Sequence, residues 1–340
     1  MGNLLEIRNL HTSFYIHAGI VQAIRGIDID LERGEAIGIV GESGSGKSVA
    51  MMSVLRLLDA NGKITEGSIK FDGKELTTMT DDQIRKIRGN EIGMIFQDPM
   101  TSLNPVYTIG TQLTEPLMEH RGMSRSQANV VAIEMMKKVG IPSPEKRLKQ
   151  YPHEFSGGMR QRVMVAMALI CEPKLIIADE PTTALDVTIQ AQILELMKKL
   201  KEDTGTSIIL ITHDLGVVAD VCSRINVMYG GTLVEKGSVD DIFYRPKHPY
   251  TVGLLNSVPN PKAGAKEKLI PIDGTPPDLI KPPTGCPFAA RCGFAMKICV
   301  TTRPPLFSVG EDHEAACWLN HSDAPKVNLR GGDDVGKNNE

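Results

Sequence analysis

Eight consecutive residues constrain this 340-residue chain more than any others, because they match the phosphate-binding pattern G-x-x-x-x-G-K-S in full: Gly41-Glu42-Ser43-Gly44-Ser45-Gly46-Lys47-Ser48. A short apolar run, Ala36 to Val40, precedes them, and we predict an apolar helix from Val49 to Leu58 after them. Glycines let the backbone curl closely enough for its N–H groups to surround phosphate oxygens, and the helix presents the positive end of its dipole to the same anion. Strand, loop and helix together predict a parallel α/β unit that binds a phosphorylated ligand.

The polar residues of this loop have separate expected roles. Lys47 would reach the β- and γ-phosphates of a nucleotide, and the Ser48 hydroxyl would hold Mg²⁺. The predicted nucleotide contacts cover the loop and the start of the helix: Gly41, Ser43, Gly44, Ser45, Gly46, Lys47, Ser48 and Val49.

A second chemical element follows the apolar run Leu175 to Ala178, which we predict to be a buried strand. Asp179 stands where an aspartate would bind Mg²⁺ through water, and Glu180 could polarise the attacking water as a general base. Acidic residues often end strands merely as solvated groups, so this pair gains its meaning from the phosphate loop.

Composition limits the class of protein. With 41% hydrophobic and 23% charged residues the chain is ordinary for a globular protein, and its net charge of −3 gives no reason to expect nucleic acid as a partner. No apolar run approaches the about 18–20 residues that span a bilayer, and the N-terminal residues lack the pattern of a secretory signal. We therefore expect a cytosolic location, with any membrane contact made through partners.

Hydrophobic periodicity predicts the remaining elements. Residues 4–33 alternate apolar and polar side chains, as antiparallel strands with one wet face do. The other predicted elements are strands Ile92–Phe96 and Ser207–Thr212, helices Ser124–Lys138, 157–170 and Val187–Glu202, and a hairpin Arg224–Glu235 turning at Gly230-Gly231.

One segment distinguishes among the classes of nucleotide-binding protein: Phe155-Ser156-Gly157-Gly158-Met159-Arg160-Gln161-Arg162. It resembles the ABC signature, usually L-S-G-G-Q, with Phe for Leu and Met for Gln. Ser156, Gly157 and Gly158 open a helix and so form a second potential anion site. In the ABC family that site completes the ATP pocket of the opposing subunit.

Other elements of the ABC family follow in the expected order. Gln97 matches the glutamine that senses Mg²⁺ and the attacking water, and His213 matches the switch histidine at the γ-phosphate. Asp186, in Ala184-Leu185-Asp186, matches the loop that communicates across the dimer. Either Phe14 or Tyr15 would stack on adenine, and the sequence leaves that choice open.

The resemblance implies an α/β P-loop NTPase fold of the ABC type, with a mixed sheet core, an antiparallel β subdomain and a helical subdomain at about residues 98–160. It covers residues 1–245 and implies ATP and Mg²⁺ as ligands. It also implies a head-to-tail dimer with a second ABC ATPase subunit, identical or related, and two integral membrane permease subunits. Such a subunit works peripherally on the cytoplasmic side of the cell membrane.

Prolines become dense after about residue 245, so we predict a loop-rich C-terminal extension over residues 246–324 and a disordered tail at 325–340. The extension resembles the C-terminal extension of the ATP-binding subunits of bacterial dipeptide and oligopeptide importers. The resemblance rests on three segments: Lys247-His248-Pro249-Tyr250-Thr251, Gly274-Thr275-Pro276-Pro277-Asp278-Leu279 and Gly285-Cys286-Pro287-Phe288. These importers also use an extracytoplasmic peptide-binding protein. Nickel and antimicrobial-peptide importers are close relatives and stay open as alternatives, as do, with less support, a soluble ABC ATPase and a redox-sensing regulator.

Six cysteines fall into two groups. Cys171 and Cys222 stand in apolar patterns and are expected to be small buried hydrophobes, whereas the other four are spaced C-x5-C-x6-C-x17-C. In a reducing cytosol such a cluster favours a metal site over disulfides. Some relatives with this spacing carry a [4Fe–4S] cluster, so the resemblance implies four ligands, with structural zinc or free thiols as alternatives: Cys286, Cys292, Cys299 and Cys317.

Overall fold

Two β-sheets organise the protein, for which a computed structural model describes residues 2–98, 102–182, 187–257 and 271–329. The smaller sheet is antiparallel, with the order β2-β1-β4-β5. Its strands are β1 (Leu5–Ile16), β2 (Gly19–Leu31), β4 (Gly62–Phe71) and β5 (Lys74–Glu75). The alternation in residues 4–33 therefore indicated the strand pair correctly.

The larger sheet has eight strands in the order β11-β12-β10-β9-β3-β8-β7-β6. The strands from β9 to β6 in this order are parallel, whereas β10, β12 and β11 pair antiparallel at one edge. They are β3 (Ala36–Val40), β6 (Ile92–Ile95), β7 (Leu175–Asp179), β8 (Ser207–Thr212), β9 (Arg224–Tyr229), β10 (Thr232–Ser238), β11 (Phe307–Ser308) and β12 (Glu314–Ala315). The mixed sheet and the separate antiparallel sheet confirm the predicted α/β fold class.

Helices cover the larger sheet and fill the connections between its strands. They are α1 (Lys47–Val54), α2 (Asp81–Arg85), α3 (Ile109–Arg121), α4 (Arg125–Lys138), α5 (Pro144–Arg147), α6 (Gly157–Leu169), α7 (Val187–Thr204), α8 (Leu215–Val221), α9 (Val239–Tyr244), α10 (Pro249–Asn256) and α11 (Lys297–Thr301). Ser124 caps α4 as predicted, in a capping box that it forms with Gln127. Helix α1 begins two residues before the predicted start and ends well before Leu58.

Strand β3 shows why both faces of the larger sheet are apolar. Ile37 and Ile39 join the core beneath the antiparallel sheet and α1, whereas Ala36 and Val40 join the core beneath the other helices. All four side chains are at most 1% exposed. The sheet is thus buried on both faces, as its continuous apolar strands predicted.

The C-terminal extension shares the core of the main body. Pro249 occupies the first turn of α10, where its missing N–H leaves no helical hydrogen bond unmade. Tyr250 is fully buried, and its ring and that of Phe288 pack on Tyr229 of β9. Strand β12 pairs with β10, so the extension also widens the larger sheet. The division near residue 245 stays a prediction.

Candidate functional site

Three neighbouring parallel strands, β3, β8 and β7, bring the predicted site residues to one edge of the sheet. The phosphate loop follows β3, Asp179 ends β7, and His213 directly follows β8. Ligands of open α/β sheets bind at the carboxyl ends of strands, so the topology places these groups where a nucleotide site is expected.

The loop curls because its glycines adopt backbone angles that other residues avoid. Gly46 has φ 101° and is the N-cap of α1, which leaves the first N–H groups of the helix directed at the loop. Gly41 has φ 152°, and a Cβ there would lie 2.2 Å from the Met228 carbonyl oxygen. The close approach of β9 therefore requires glycine at position 41.

Lys47 folds back onto its own loop. Its Nζ donates to the carbonyl oxygens of Gly41 at 2.7 Å and Glu42 at 3.0 Å. Burial lowers the pKa of the lysine, while the carboxylates of Glu180, Asp179 and Glu42 oppose that shift. An ammonium that is buried and held by backbone carbonyls is a ready partner for a phosphate, which offers it charged oxygens instead.

Ser48 and Asp179 meet although 131 residues separate them. The Ser48 hydroxyl donates to Asp179 Oδ1 at 3.0 Å, and Asp179 is 8% exposed. Burial raises the pKa of Asp179, the Ser48 hydrogen bond opposes the rise, and the charge of Glu180 adds to it. Hydroxyl and carboxylate oxygens in contact form a donor set that suits Mg²⁺.

Glu180 connects two other predicted residues. Its Oε2 accepts from Gln97 Nε2 at 3.0 Å, and its Oε1 lies 3.3 Å from His213 Nδ1. Its backbone has a φ of 46°, unusual for a residue other than glycine. The structure thus brings Gln97, Glu180 and His213 together at the end of β7, where a water attacking a bound phosphate could be activated.

The signature segment opens α6 as predicted. Ser156 is the N-cap, and its hydroxyl accepts from the Met159 N–H at 3.4 Å. Ser156 and Gly157 are exposed, and a Cβ at Gly157 would meet nothing within 4 Å. This helix start therefore has room for an approaching ligand. Asp186 lies outside the described residues.

The two aromatic candidates occupy different environments. Phe14 is half-buried, and its ring lies 2.7 Å from the position of a Cβ at Gly62, close to Leu58. Tyr15 is 46% exposed, with the Lys63 ammonium 5.7 Å from its ring centre. Both remain candidates for stacking on adenine.

Sequence reasoning missed two residues that contact the phosphate loop from the C-terminal extension. Arg291 makes a bidentate ion pair with the Glu42 carboxylate, at 2.6 Å and 3.0 Å. Tyr250 Oη accepts the Glu42 N–H at 2.8 Å. Local sequence patterns carry no signal for contacts between residues that are 249 and 208 positions apart.

The four clustered cysteines lie in related surroundings. Cys286, Cys299 and Cys317 are buried and Cys292 is half-buried. Burial raises the pKa of Cys286 to about 11 and that of Cys317 to about 12, and the neighbouring thiols add to both shifts. Backbone N–H groups point at all four sulfurs: Phe288 and Ala289 at Cys286, Phe294 at Cys292, Met296 at Cys299, and Leu319 at Cys317.

Metal binding by these cysteines also depends on how their side chains are placed. Within the described ranges, no group of three or more His, Cys, Asp or Glu side chains is placed to hold a metal ion. The donor chemistry fits a thiolate-bound metal, because N–H groups directed at sulfur stabilise thiolates. The placement of these four side chains, in contrast, does not form the predicted [4Fe–4S] site or its zinc alternative. The two isolated cysteines, Cys171 and Cys222, are buried as predicted.

Among the described residues, no helix combines the length and apolarity needed to cross a membrane. A family model described as ABC transporter matches residues 24–183, and a second, described as Oligopeptide/dipeptide transporter, C-terminal region, matches residues 234–299. The second match begins within β10 and includes three of the four clustered cysteines.

Curated relatives match along nearly the whole chain. The chain is 56% identical over 325 residues to the oligopeptide transport ATP-binding protein OppD of Bacillus subtilis (strain 168), covering 95% of this chain and 91% of that protein. It is 54% identical over 332 residues to the dipeptide transport ATP-binding protein DppD of the same organism, covering 97% and 99% respectively.

Two solved structures match most of the chain. One is a dimeric post-hydrolysis state of the ATP-binding cassette MJ0796 bound to ADP and Pi. It is 31% identical with a TM-score of 0.63, and the match covers 69% of this chain and 98% of that one. Another, cbiO1 from Clostridium perfringens, part of the ABC transporter complex cbiONQ, is 26% identical with a TM-score of 0.61, covering 75% and 96%.

Proposed function

The chain belongs to the ATP-binding subunits of ABC-type oligopeptide and dipeptide transporters, and from this premise we propose how its residues carry out that work. It is the ATPase subunit of a peptide importer and couples ATP hydrolysis to transport. The observation that carries the mechanism is the convergence of Lys47, Ser48, Asp179 and Glu180 at one sheet edge.

In the proposed nucleotide site, Lys47 leaves the carbonyl oxygens of Gly41 and Glu42 and binds the β- and γ-phosphates. The loop N–H groups and the start of α1 receive the remaining phosphate oxygens. Ser48 and Asp179, with Gln97, would hold Mg²⁺, which supplies positive charge to the phosphates. Either Phe14 or Tyr15 would stack on the adenine.

Hydrolysis depends on a water held near the γ-phosphate. We assign Glu180 as the general base that accepts the proton of this water. Gln97 donates to one oxygen of Glu180 and His213 lies beside the other, so both orient the carboxylate before nucleotide arrives. His213 would also contact the γ-phosphate.

The subunit works as part of a dimer bound to membrane permease subunits. We propose that Ser156, Gly157 and Gly158 complete the ATP site of the opposing subunit, with Asp186 communicating between the two sites. The exposed start of α6 supports this role, and so does the dimeric state of the MJ0796 cassette. The helical region at about 98–160 would pass the motion to the permeases, on the cytoplasmic side of the membrane. An extracytoplasmic binding protein would deliver the peptide.

For the extension, we propose that its four clustered cysteines hold a structural metal, a [4Fe–4S] cluster or zinc. The N–H groups directed at their sulfurs support thiolate ligands. Iron and zinc content, with an absorption spectrum of anaerobically purified protein, tests this proposal. Substitution of Cys299 by Ser should remove the metal, whereas Cys171→Ser should not; metal-free wild-type protein would refute it.

Co-expression with the two permease subunits tests the transporter assignment. The chain should co-purify with both in detergent and hydrolyse ATP in that complex. Purification as an active ATPase that never associates with the permeases would favour the soluble ABC class instead.

A further inference from the structure

The C-terminal extension reaches into the phosphate loop at Glu42. Arg291 binds the Glu42 carboxylate through both oxygens, and Tyr250 Oη accepts the Glu42 N–H. The Glu42 carbonyl oxygen in turn accepts from Lys47. We infer that the extension sets the conformation and charge of the phosphate loop, with Arg291 as a positioning residue for ATP binding; this rests on the proposed nucleotide site.

Contacts other than the Glu42 ion pair also hold the Arg291 side chain in place. Its side chain is 5% exposed, and its guanidinium makes five hydrogen bonds, as many as it has N–H groups. Besides the two bonds to Glu42, it donates to the carbonyl oxygens of Ile272 and Asp273 and to Tyr229 Oη. A guanidinium held from all sides in this way places the Glu42 carboxylate in one position.

The turn between β9 and β10 forms a second connection between the C-terminal extension and the phosphate loop. A Cβ at Gly230 would lie 3.1 Å from Pro287 Cβ and 3.2 Å from Pro277 Cγ, so the extension packs directly on this turn. On its other side, Gly231 donates its N–H to the Ser45 carbonyl oxygen at 3.1 Å. The turn is therefore held between the extension and the phosphate loop.

Electrostatics give the ion pair a role that packing alone would not have. Burial lowers the pKa of Lys47, and the Glu42 carboxylate is one of the charges that oppose this shift, so it lies near the ammonium that would bind phosphate. Without Arg291, the Glu42 carboxylate would be an unpaired negative charge close to an incoming triphosphate. Arg291 cancels that charge, and ATP then meets a loop whose net potential is set by Lys47.

If Arg291 acts by positioning and neutralising Glu42, the loss of ATP affinity in an Arg291 variant should be reversed by removing the Glu42 charge. A residue that only stabilised the fold would show no such reversal. In the full-length chain, Arg291→Ala should weaken binding of a fluorescent ATP analogue by about tenfold. Glu42→Gln in the same chain should restore most of that affinity, because the unpaired charge is gone. Arg291→Lys, which keeps the charge but not the fork, should fall between Ala and wild type. Arg245→Ala is the matched control, since Arg245 pairs with Asp241 and makes no contact with the loop among the described residues.

The role of Arg291 and the existence of the nucleotide site are tested by different variants. Loss of binding in Lys47→Ala, with normal binding in wild type, establishes the nucleotide site without reference to Arg291. Wild-type affinity in a folded Arg291→Ala protein would overturn the inference, and so would equal losses in Arg291→Ala with and without Glu42→Gln. If Arg291→Ala does not fold, Arg291→Lys carries the test, because it keeps the charge but loses the bidentate fork: a loss of ATP affinity is expected, and wild-type affinity overturns the inference.

Discussion

Replacing Glu180 by Gln should separate ATP binding from ATP hydrolysis. The amide has the size of the carboxylate, its oxygen can still accept from Gln97 at about the present 3.0 Å, and its NH₂ can face His213. The variant loses the carboxylate that acts as the general base. Proton transfer by a positioned carboxylate contributes about 10²- to 10⁴-fold to a rate, so turnover should fall by that factor, or about 2.7–5.4 kcal/mol in barrier.

Binding should survive the same change. Burial raises the pKa of the adjacent Asp179, and the charge of Glu180 adds to that rise. Because the same charge also repels an incoming phosphate, its removal should leave Mg²⁺–ATP affinity within about threefold of wild type or tighten it. Steady-state phosphate release by the transporter complex measures turnover, and titration with a fluorescent ATP analogue measures affinity. Glu195→Gln, on the exposed face of α7, is the matched control. Near-normal hydrolysis by the Glu180 variant would refute the assignment of the base.

Three further changes test other parts of the account. Lys47→Ala should weaken ATP binding itself by tenfold or more, a loss roughly equal to one charge-assisted phosphate contact, and unchanged affinity would count against the phosphate role. Of Phe14→Ala and Tyr15→Ala, the one that removes the adenine-stacking ring should weaken ATP binding while affinity for free triphosphate stays constant; unchanged ATP affinity in both variants would contradict stacking by either residue. Burial would raise the pKa of Glu35, but hydrogen bonds from the Arg224 guanidinium outweigh it and hold the pKa below its usual value. The pair therefore stabilises the fold above the unfolded pKa of about 4.3, and this is lost as pH falls through the folded pKa. Chemical denaturation should show Arg224→Met lowering the free energy of unfolding by about 1–3 kcal/mol at pH 7 and by less below about pH 4; a pH-independent difference would contradict this.

Elements with strong local signals were predictable from sequence. Strand β8 runs from Ser207 to Thr212 as predicted, because four consecutive apolar residues between a serine and a threonine leave little choice of boundary. The hairpin turns at Gly230-Gly231, both of which have positive φ, an angle that glycine adopts without strain. Ser48 and Asp179 were each predicted to bind Mg²⁺ from their motifs, and the structure brings their side chains into contact.

Other features depend on information that local patterns lack. The start of α1 was placed at Val49 because its apolar run begins there, yet the helix begins at Lys47. Two polar residues open the helix, since its first N–H groups serve an anion and not the core. The ion pair of Arg291 with Glu42 joins residues 249 apart, so only the folded chain brings them together. The cysteine spacing suggested a metal, but spacing does not specify how four side chains are oriented.

The most direct test of the central claim is ATP-driven peptide uptake by the assembled transporter in lipid vesicles. The complex of this subunit with its dimer partner, the permeases and the binding protein should accumulate a labelled di- or oligopeptide when ATP is supplied on the side of this subunit. With Glu180→Gln in its place, uptake should fall by at least the factor by which hydrolysis falls. Nickel accumulation without peptide accumulation, or peptide uptake that is indifferent to the Glu180 variant, would contradict the assignment of this chain as the ATPase of a peptide importer.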